Sequence, residues 1–172
     1  FCSAVFSSLL ASGNNFWTPT DATLAPTQLQ WMHPKSFKVF KLNEAAIKFE
    51  LWNLSEVPEE GVVMSLPMAD GSYRDFKVWQ SSMMPEPLAA RYPDIRTFTG
   101  EALDNRRVTA KIDFTLFGFS AMVFDGENTS FIDPYDNMRD GFYMVHYKRD
   151  EQRAFSERMH CEVKSEKDNN AL

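Results

Sequence analysis

The chain has few of the residues from which catalytic and metal centres are built. It contains two cysteines and three histidines, and no HExxH, GxSxG, P-loop, GxGxxG or CxxC pattern occurs in it. His33 and His146 are interpreted as structural or surface histidines, because no two histidines lie within one helical turn of each other. The sequence therefore predicts a protein that is not an enzyme and that binds no zinc or other cofactor by itself.

Positive charge and long apolar runs are also missing. The net charge is −6, whereas a nucleic-acid-binding protein needs a basic face to neutralise phosphates. No apolar run is long enough to span a membrane, and no repeat of fixed period is present. The content of hydrophobic residues is 44% and that of aromatic residues 14%, which over 172 residues indicates one folded domain.

The first thirteen residues differ from the rest of the chain. Residues 1–13 (FCSAVFSSLLASG) are uncharged and mostly small or apolar, like the end of a secretory signal peptide. Ala11 and Gly13 occupy the −3 and −1 positions of a plausible cleavage site before Asn14. The alternative is a buried first segment of the mature domain. The signal-peptide interpretation predicts secretion, loss of Cys2 and no membrane attachment after cleavage.

The centre of the predicted fold lies in residues 108–147. Apolar residues alternate with polar ones from Val108 to Thr115, and the alternation resumes after Gly118, which is typical of strands with one buried face. Asp125-Gly126 is a turn signal, and two further strand-like runs follow it. Four strands joined by short polar turns predict an antiparallel meander in this half of the chain.

The preceding half predicts further strands and two helices. Residues 37–42 read as a strand, and Asn43 is suited to cap a helix whose apolar residues include Ile47 and Leu51. A hairpin is expected around Asp70-Gly71, followed by a helix over residues 83–92 and a strand over 95–99. The prediction is an α+β domain over residues 14–150, with a mainly antiparallel sheet of about seven strands and two short helices.

A charged tail is expected to follow this domain. Residues 151–172 contain little that could pack in a core, so they predict a flexible tail or linker. Cys161 lies in this segment, and a thiolate is a strong zinc ligand. Cys161 is therefore a candidate to occupy the open zinc position of a partner metalloprotease, which is the cysteine-switch mode of latency. The alternative is an inert exposed thiol.

Two other groups of residues were weighed as sites. Asp133, Asp136 and Asp140 surround Pro134, but their spacing matches no EF-hand and they are interpreted as solvated loop carboxylates. A small hydrolase that uses Asp133 or His146 is the weakest of the functional readings. Aromatic side chains often anchor protein interfaces, so we considered the partner-binding candidates Trp31, Trp52 and Trp79 together with His160, the neighbour of Cys161.

Several segments carry a resemblance to a known family. The most specific are residues 81–93 (SSMMPEPLAARYP) and residues 132–135 (IDPY), supported by residues 40–43 (FKLN) and 143–148 (YMVHYK). Together they resemble the N-terminal propeptide of secreted reprolysin-like zinc metalloproteases of Bacteroidetes, over residues 15–150. The chain departs from that pattern at Leu116-Phe117-Gly118, where a proline-containing turn is expected, and at Gln80, where an acid is commoner.

The resemblance implies a function for the chain. It implies a secreted, non-catalytic pro-domain that acts as an intramolecular chaperone and latency inhibitor. Its partner would be a downstream zinc metalloprotease domain, which would supply the zinc that Cys161 binds. The competing hypothesis is an extracellular binding or adhesion module that has no protease partner.

Overall fold

The computed structural model describes residues 14–20, 33–126, 128–136 and 140–151. The predicted signal-peptide remnant lies outside these residues, and so does the predicted tail except for Glu151. Trp31, His160 and Cys161 also lie outside them.

Nine antiparallel strands make up most of the described part of the chain. They are β1 (Trp17–Pro19), β2 (Lys38–Leu42), β3 (Val62–Pro67), β4 (Tyr73–Gln80), β5 (Arg96–Ala102), β6 (Thr109–Thr115), β7 (Gly118–Asp125), β8 (Asn128–Pro134) and β9 (Phe142–Tyr147). They form one sheet in the order β1-β2-β9-β8-β7-β6-β5-β4-β3. The helix α1 (Glu44–Trp52) links β2 to β3, and the single helical turn α2 (Glu86–Ala89) lies between β4 and β5. Short 3-10 turns occur at Pro58–Glu60 and Lys148–Asp150.

The two edges of the sheet approach each other, so that the sheet curls into a nearly closed barrel. Asn14 directly precedes β1, the strand at one edge of the sheet. It forms a parallel bridge with Met64 of β3, the strand at the other edge. The Asn14 amide donates to the Val63 carbonyl, and the Ser65 amide donates to the Asn14 carbonyl, each at 3.1 Å. These two main-chain hydrogen bonds join the segment before β1 to β3, the strand at the opposite edge of the sheet.

The predicted α+β class is wrong. The structure is an antiparallel barrel-like sheet with one real helix, rather than about seven strands covered by two helices. The second predicted helix, over residues 83–92, shrinks to the four residues of α2. Pro85 and Pro87 lack amide hydrogens, and Pro93 keeps residue 92 out of the helical conformation, so little helix fits between them. The strands bury their apolar faces against one another inside the barrel, so a second long helix is not needed to cover them.

The alternating strands supply the barrel interior. In β6, Ala110, Ile112 and Phe114 are buried while Thr109 and Lys111 face outward, as the period-two pattern predicts. The neighbouring strands contribute large inward side chains, which join one continuous core: Phe40, Met64, Phe76, Phe98, Phe119, Ile132, Tyr143 and Val145. The predicted meander is confirmed, because β6 to β9 pair consecutively and antiparallel. The interior of the barrel is therefore filled by aromatic and branched side chains.

Helix α1 covers one end of this core. The predicted cap is confirmed, because the Asn43 side chain accepts a hydrogen bond from the Ala46 amide at 3.2 Å. Ile47 and Leu51 follow at helical spacing and are buried. The same end of the barrel carries the β4–β5 connection and the β6–β7 turn, since strands alternate in direction around the sheet. We call it the helix end.

A buried tyrosine ties the helix to the wall. The Tyr143 hydroxyl donates to Glu44 Oε1 at 2.6 Å and accepts from the Phe119 amide at 3.2 Å. It thereby connects the first turn of α1 to β7 and β9. Burial, with the bond to Glu44, raises the pKa of Tyr143 far above its ordinary value, so it stays protonated. Gly118 lies beside the Tyr143 hydroxyl and has φ of 107°, a backbone conformation that residues with a side chain rarely adopt.

Candidate interaction surface at the helix end

Exposed apolar side chains are concentrated at the helix end. Among the residues that the structure describes, seven large hydrophobic ones are exposed there, and we call them the helix-end surface: Phe49, Val57, Met83, Leu88, Tyr92, Leu116 and Phe117. The opposite end of the described barrel exposes three, namely Tyr73, Leu103 and Phe124. Met83 is 81% exposed, Phe49 70% and Phe117 62%, so these side chains are not edges of the core. Apolar groups gathered in this way commonly mark an interaction site.

The β6–β7 turn presents the most projecting part of this surface. Leu116 and Phe117 occupy the tip between two long paired strands, and the Thr115 hydroxyl accepts from the Phe117 amide at 3.0 Å. Hairpin turns are usually polar, because their side chains meet water on every side. Two consecutive large apolar residues that stay more than half exposed are unusual in such a tip, which favours contact with another molecule.

The β4–β5 connection forms the other part of the surface. Prolines shape this connection around α2, which exposes Met83, Leu88 and Tyr92. A pocket of about 220 Å³ opens beneath it, lined by Gln80, Ser82, Met83, Met84, Ala89, Pro93, Ile95, Arg96 and Thr97. Methionine side chains adapt easily to different partners. The pocket is small and mostly apolar, so it suits a single side chain of a partner rather than a large ligand.

Trp52 supports this surface from below. Its ring meets Phe114 edge-on with centroids 5.4 Å apart, while Lys48 Nζ and the Arg96 guanidinium lie 4.8 Å and 4.9 Å from its centroid. Arg96 also donates to the Trp52 carbonyl at 3.3 Å. Lys48 pairs with Asp94 at 3.3 Å and so links α1 to the β4–β5 connection. Trp52 therefore packs between neighbours of its own chain, and its predicted role as a partner anchor stays a prediction.

The remaining predicted site residues are dispersed. Trp79 is half-buried on the outer wall, in register with Thr99 of β5. Asp133 and His146 lie on neighbouring strands β8 and β9, in register with Met144 and Phe131 respectively. Trp31, His160 and Cys161 fall outside the described residues. The sequence analysis did not identify Phe49, Met83 or Phe117, although the apolar pair in a hairpin turn was a usable signal.

His146 is a buried histidine rather than a surface one. Its side chain is completely buried, and neither ring nitrogen has a hydrogen-bond partner within the described residues. The ring stacks on Phe131, with centroids 5.7 Å apart, and Nε2 lies 3.8 Å from Glu151 Oε1. Burial lowers the pKa of His146 against the pull of Glu151, so the ring is neutral near pH 7. No hydroxyl group of the described residues hydrogen-bonds to either ring nitrogen of His146, so the hydrolase hypothesis gains no support.

No group of three or more histidine, cysteine or acidic side chains is placed to hold a metal ion in the described part of the chain. None of the helices in the described ranges is long and apolar enough to cross a membrane. No protein-family model, curated protein or solved structure matches the sequence.

Proposed function

We propose that this chain is the non-catalytic pro-domain of a secreted zinc metalloprotease, and that it binds the protease domain through the helix-end surface. The observation that carries the proposal is the concentration of exposed apolar side chains at one end of a barrel whose interior is already filled. A filled barrel leaves its surface as the place for recognition. Apolar side chains on loops that a rigid sheet holds in place are typical of protein-binding surfaces.

The family resemblance supports a protease as the partner. Residues 81–93, the most specific segment of that resemblance, form much of the helix-end surface. A segment that binds the protease would present exposed anchor side chains on a well-packed support. Met83 and Tyr92 are exposed in this segment, and Arg96 packs on the Trp52 ring beneath it. The surface would cover the protease domain and hold it inactive until the pro-domain is removed.

A competition experiment tests this function. The full chain is titrated into the purified zinc protease domain of the same precursor, and the inhibition constant is measured with a fluorogenic peptide. We expect Phe49→Ser combined with Phe117→Ser to weaken inhibition roughly 30- to 1,000-fold, because each anchor contributes on the order of 1–2 kcal/mol and about 1.4 kcal/mol is tenfold.

The opposite end of the barrel offers a matched control. Leu103→Ser combined with Phe124→Ser removes similar exposed side chains there. This control should change the inhibition constant by less than about twofold, because surface substitutions outside an interface have small effects. Equal losses for the two pairs, or no loss for either, would refute binding through the helix end.

Cys161 is tested separately, because it lies beyond the described residues. If its thiolate binds the protease zinc, Cys161→Ser should weaken inhibition while the melting temperature stays unchanged. Unchanged inhibition would remove the cysteine switch and leave the docking surface as the inhibitory element. A chain that binds no zinc protease but adheres to an extracellular ligand would instead support the competing adhesion module.

A further inference from the structure

The last described residues fold back onto the outer face of the barrel. We call residues 148–151 the exit turn. The Lys35 amide donates to the Asp150 carbonyl at 2.8 Å, and Arg149 Nη1 donates to Asn128 Oδ1 at 2.9 Å. The Arg149 guanidinium also lies 4.3 Å from the centroid of the Tyr147 ring. These contacts hold the exit turn against β8 and β9, so a change in charge beneath it alters how firmly it is held.

Ionisable side chains meet beneath this turn. Glu151 reaches back to His146, with 3.8 Å between the carboxylate oxygen and Nε2. Asp133 lies on the same face of β8 as Phe131, the residue whose ring stacks on His146. The Oδ2 atom of Asp133 is buried without a hydrogen-bond partner in the described ranges. Two buried polar groups without partners are costly, and they make this place sensitive to the gain or loss of a proton.

Negative charge predominates around the cluster. The groups that act on Asp133 and His146 are Asp113 of β6 and the two acids of the exit turn, Asp150 and Glu151. The cations of the turn do not compensate for them, because Lys148 is exposed and Arg149 is engaged with Asn128 and Tyr147. At neutral pH the cluster therefore holds like charges side by side.

We propose that the exit turn is a proton-operated clamp, which lies closed on β8 and β9 while Asp133 holds a proton and loosens when Asp133 and Glu151 are both ionised. A protonated Asp133 neither repels Glu151 nor has a buried charge that lacks a counter-ion. The clamp would make the junction between the barrel and the following residues sensitive to pH. It does not depend on the identity of the protein partner.

The titration of Asp133 fits this clamp in direction and range. Burial, together with the charges of Asp113 and Glu151, raises the pKa of Asp133 to about 6 from 3.8. A raised pKa stabilises the closed form at low pH, and this contribution is lost as the pH rises through 6. His146 acts in the opposite sense, because its lowered pKa costs stability as the pH falls below 6.5.

Hydrogen exchange of two amides reports the state of the clamp. The Lys35 amide bonds to the Asp150 carbonyl, and the Glu151 amide bonds to the Lys148 carbonyl. After correction for intrinsic exchange, we expect the protection of both amides in the full chain to fall roughly two- to fourfold between pH 5.5 and 7.5. In Asp133→Asn, which stays neutral, the fall in protection between pH 5.5 and 7.5 should disappear, and the remaining titration of His146 can only raise protection as the pH rises.

Two further variants complete the test. Glu151→Gln removes the carboxylate that acts on Asp133 and His146, and it should also reduce the pH dependence of amide protection. This variant keeps the test decisive if Asp133→Asn fails to fold. Asp94→Asn changes an exposed carboxylate at the helix end and should leave the profile of the original chain unaltered. Equal protection at the two pH values in the original chain, or an undiminished pH dependence in Glu151→Gln, would overturn the clamp.

Discussion

Replacement of Gly118 by alanine should destabilise the barrel more than its small size suggests. Gly118 begins β7 with φ of 107°, and a Cβ atom placed there would lie 2.8 Å from the Tyr143 hydroxyl oxygen and 3.8 Å from Glu44 Oε1. The new methyl group would therefore push the tyrosine away from the two groups that it bonds, Glu44 and the Phe119 amide.

The magnitude follows from two contributions. A side chain forced into this backbone region costs on the order of 1–3 kcal/mol. Loss of hydrogen bonds by buried groups around Tyr143 costs roughly another 1–3 kcal/mol. We therefore expect Gly118→Ala to lower the free energy of unfolding by about 2–6 kcal/mol, a large share of the 5–15 kcal/mol of an ordinary domain.

Gly126 offers a matched control. It also has positive φ, 58°, but a Cβ atom there would meet nothing within 4 Å. Gly126→Ala should cost only about 1 kcal/mol, from backbone strain alone. Urea unfolding followed by tryptophan fluorescence measures both changes. In a Tyr143→Phe background, where the hydroxyl is absent, Gly118→Ala should cost less than in the original chain. Equal losses for the two glycines, or an unchanged loss in that background, would refute the reasoning.

Other predictions concern α1 and His146. Asn43→Ala removes the cap of α1 and should lower the free energy of unfolding by about 1 kcal/mol, measured in urea, whereas Asn43→Asp should restore most of it. His146→Phe replaces a buried polar ring by an apolar one that can stack on Phe131, and should raise stability by about 1 kcal/mol. The gain should be larger at pH 5 than at pH 7.5, because the lowered pKa of His146 makes the original chain lose stability below pH 6.5. A gain that does not vary with pH would mean that folding does not lower the pKa of His146.

Much of the sheet could be predicted from local pattern. The alternation along β6, the Asn43 cap and the turn at Asp70-Gly71 are all confirmed, because each depends on side chains close together in the sequence. At the turn, Asp70 accepts from the Ser72 amide and hydroxyl, and these bonds lower its pKa. Local chemistry of this kind is visible without a structure.

Closure of the barrel could not be predicted in that way. Asn14 closes it with main-chain atoms, which leave no signature in the side-chain pattern. The second predicted helix was too long because Pro85 and Pro87, interpreted as part of a first helical turn, leave room for only the four residues of α2 before Pro93. Exposure, rather than residue type, also separates Phe49 of the helix-end surface from Leu51 of the core, and exposure depends on the assembled fold. The candidate site was therefore hidden among residues that look like core.

The bridge at Asn14 has a consequence for how this chain associates with other chains. If its two hydrogen bonds open, the outer edge of β3 loses the partner of the Val63 carbonyl and of the Ser65 amide, which both point away from β4. Strand edges of this kind template pairing with another polypeptide. Conditions that detach the Asn14 segment without unfolding the sheet should thus promote strand exchange or aggregation through β3. The main-chain bonds of Asn14 therefore cover a strand edge as well as closing the barrel.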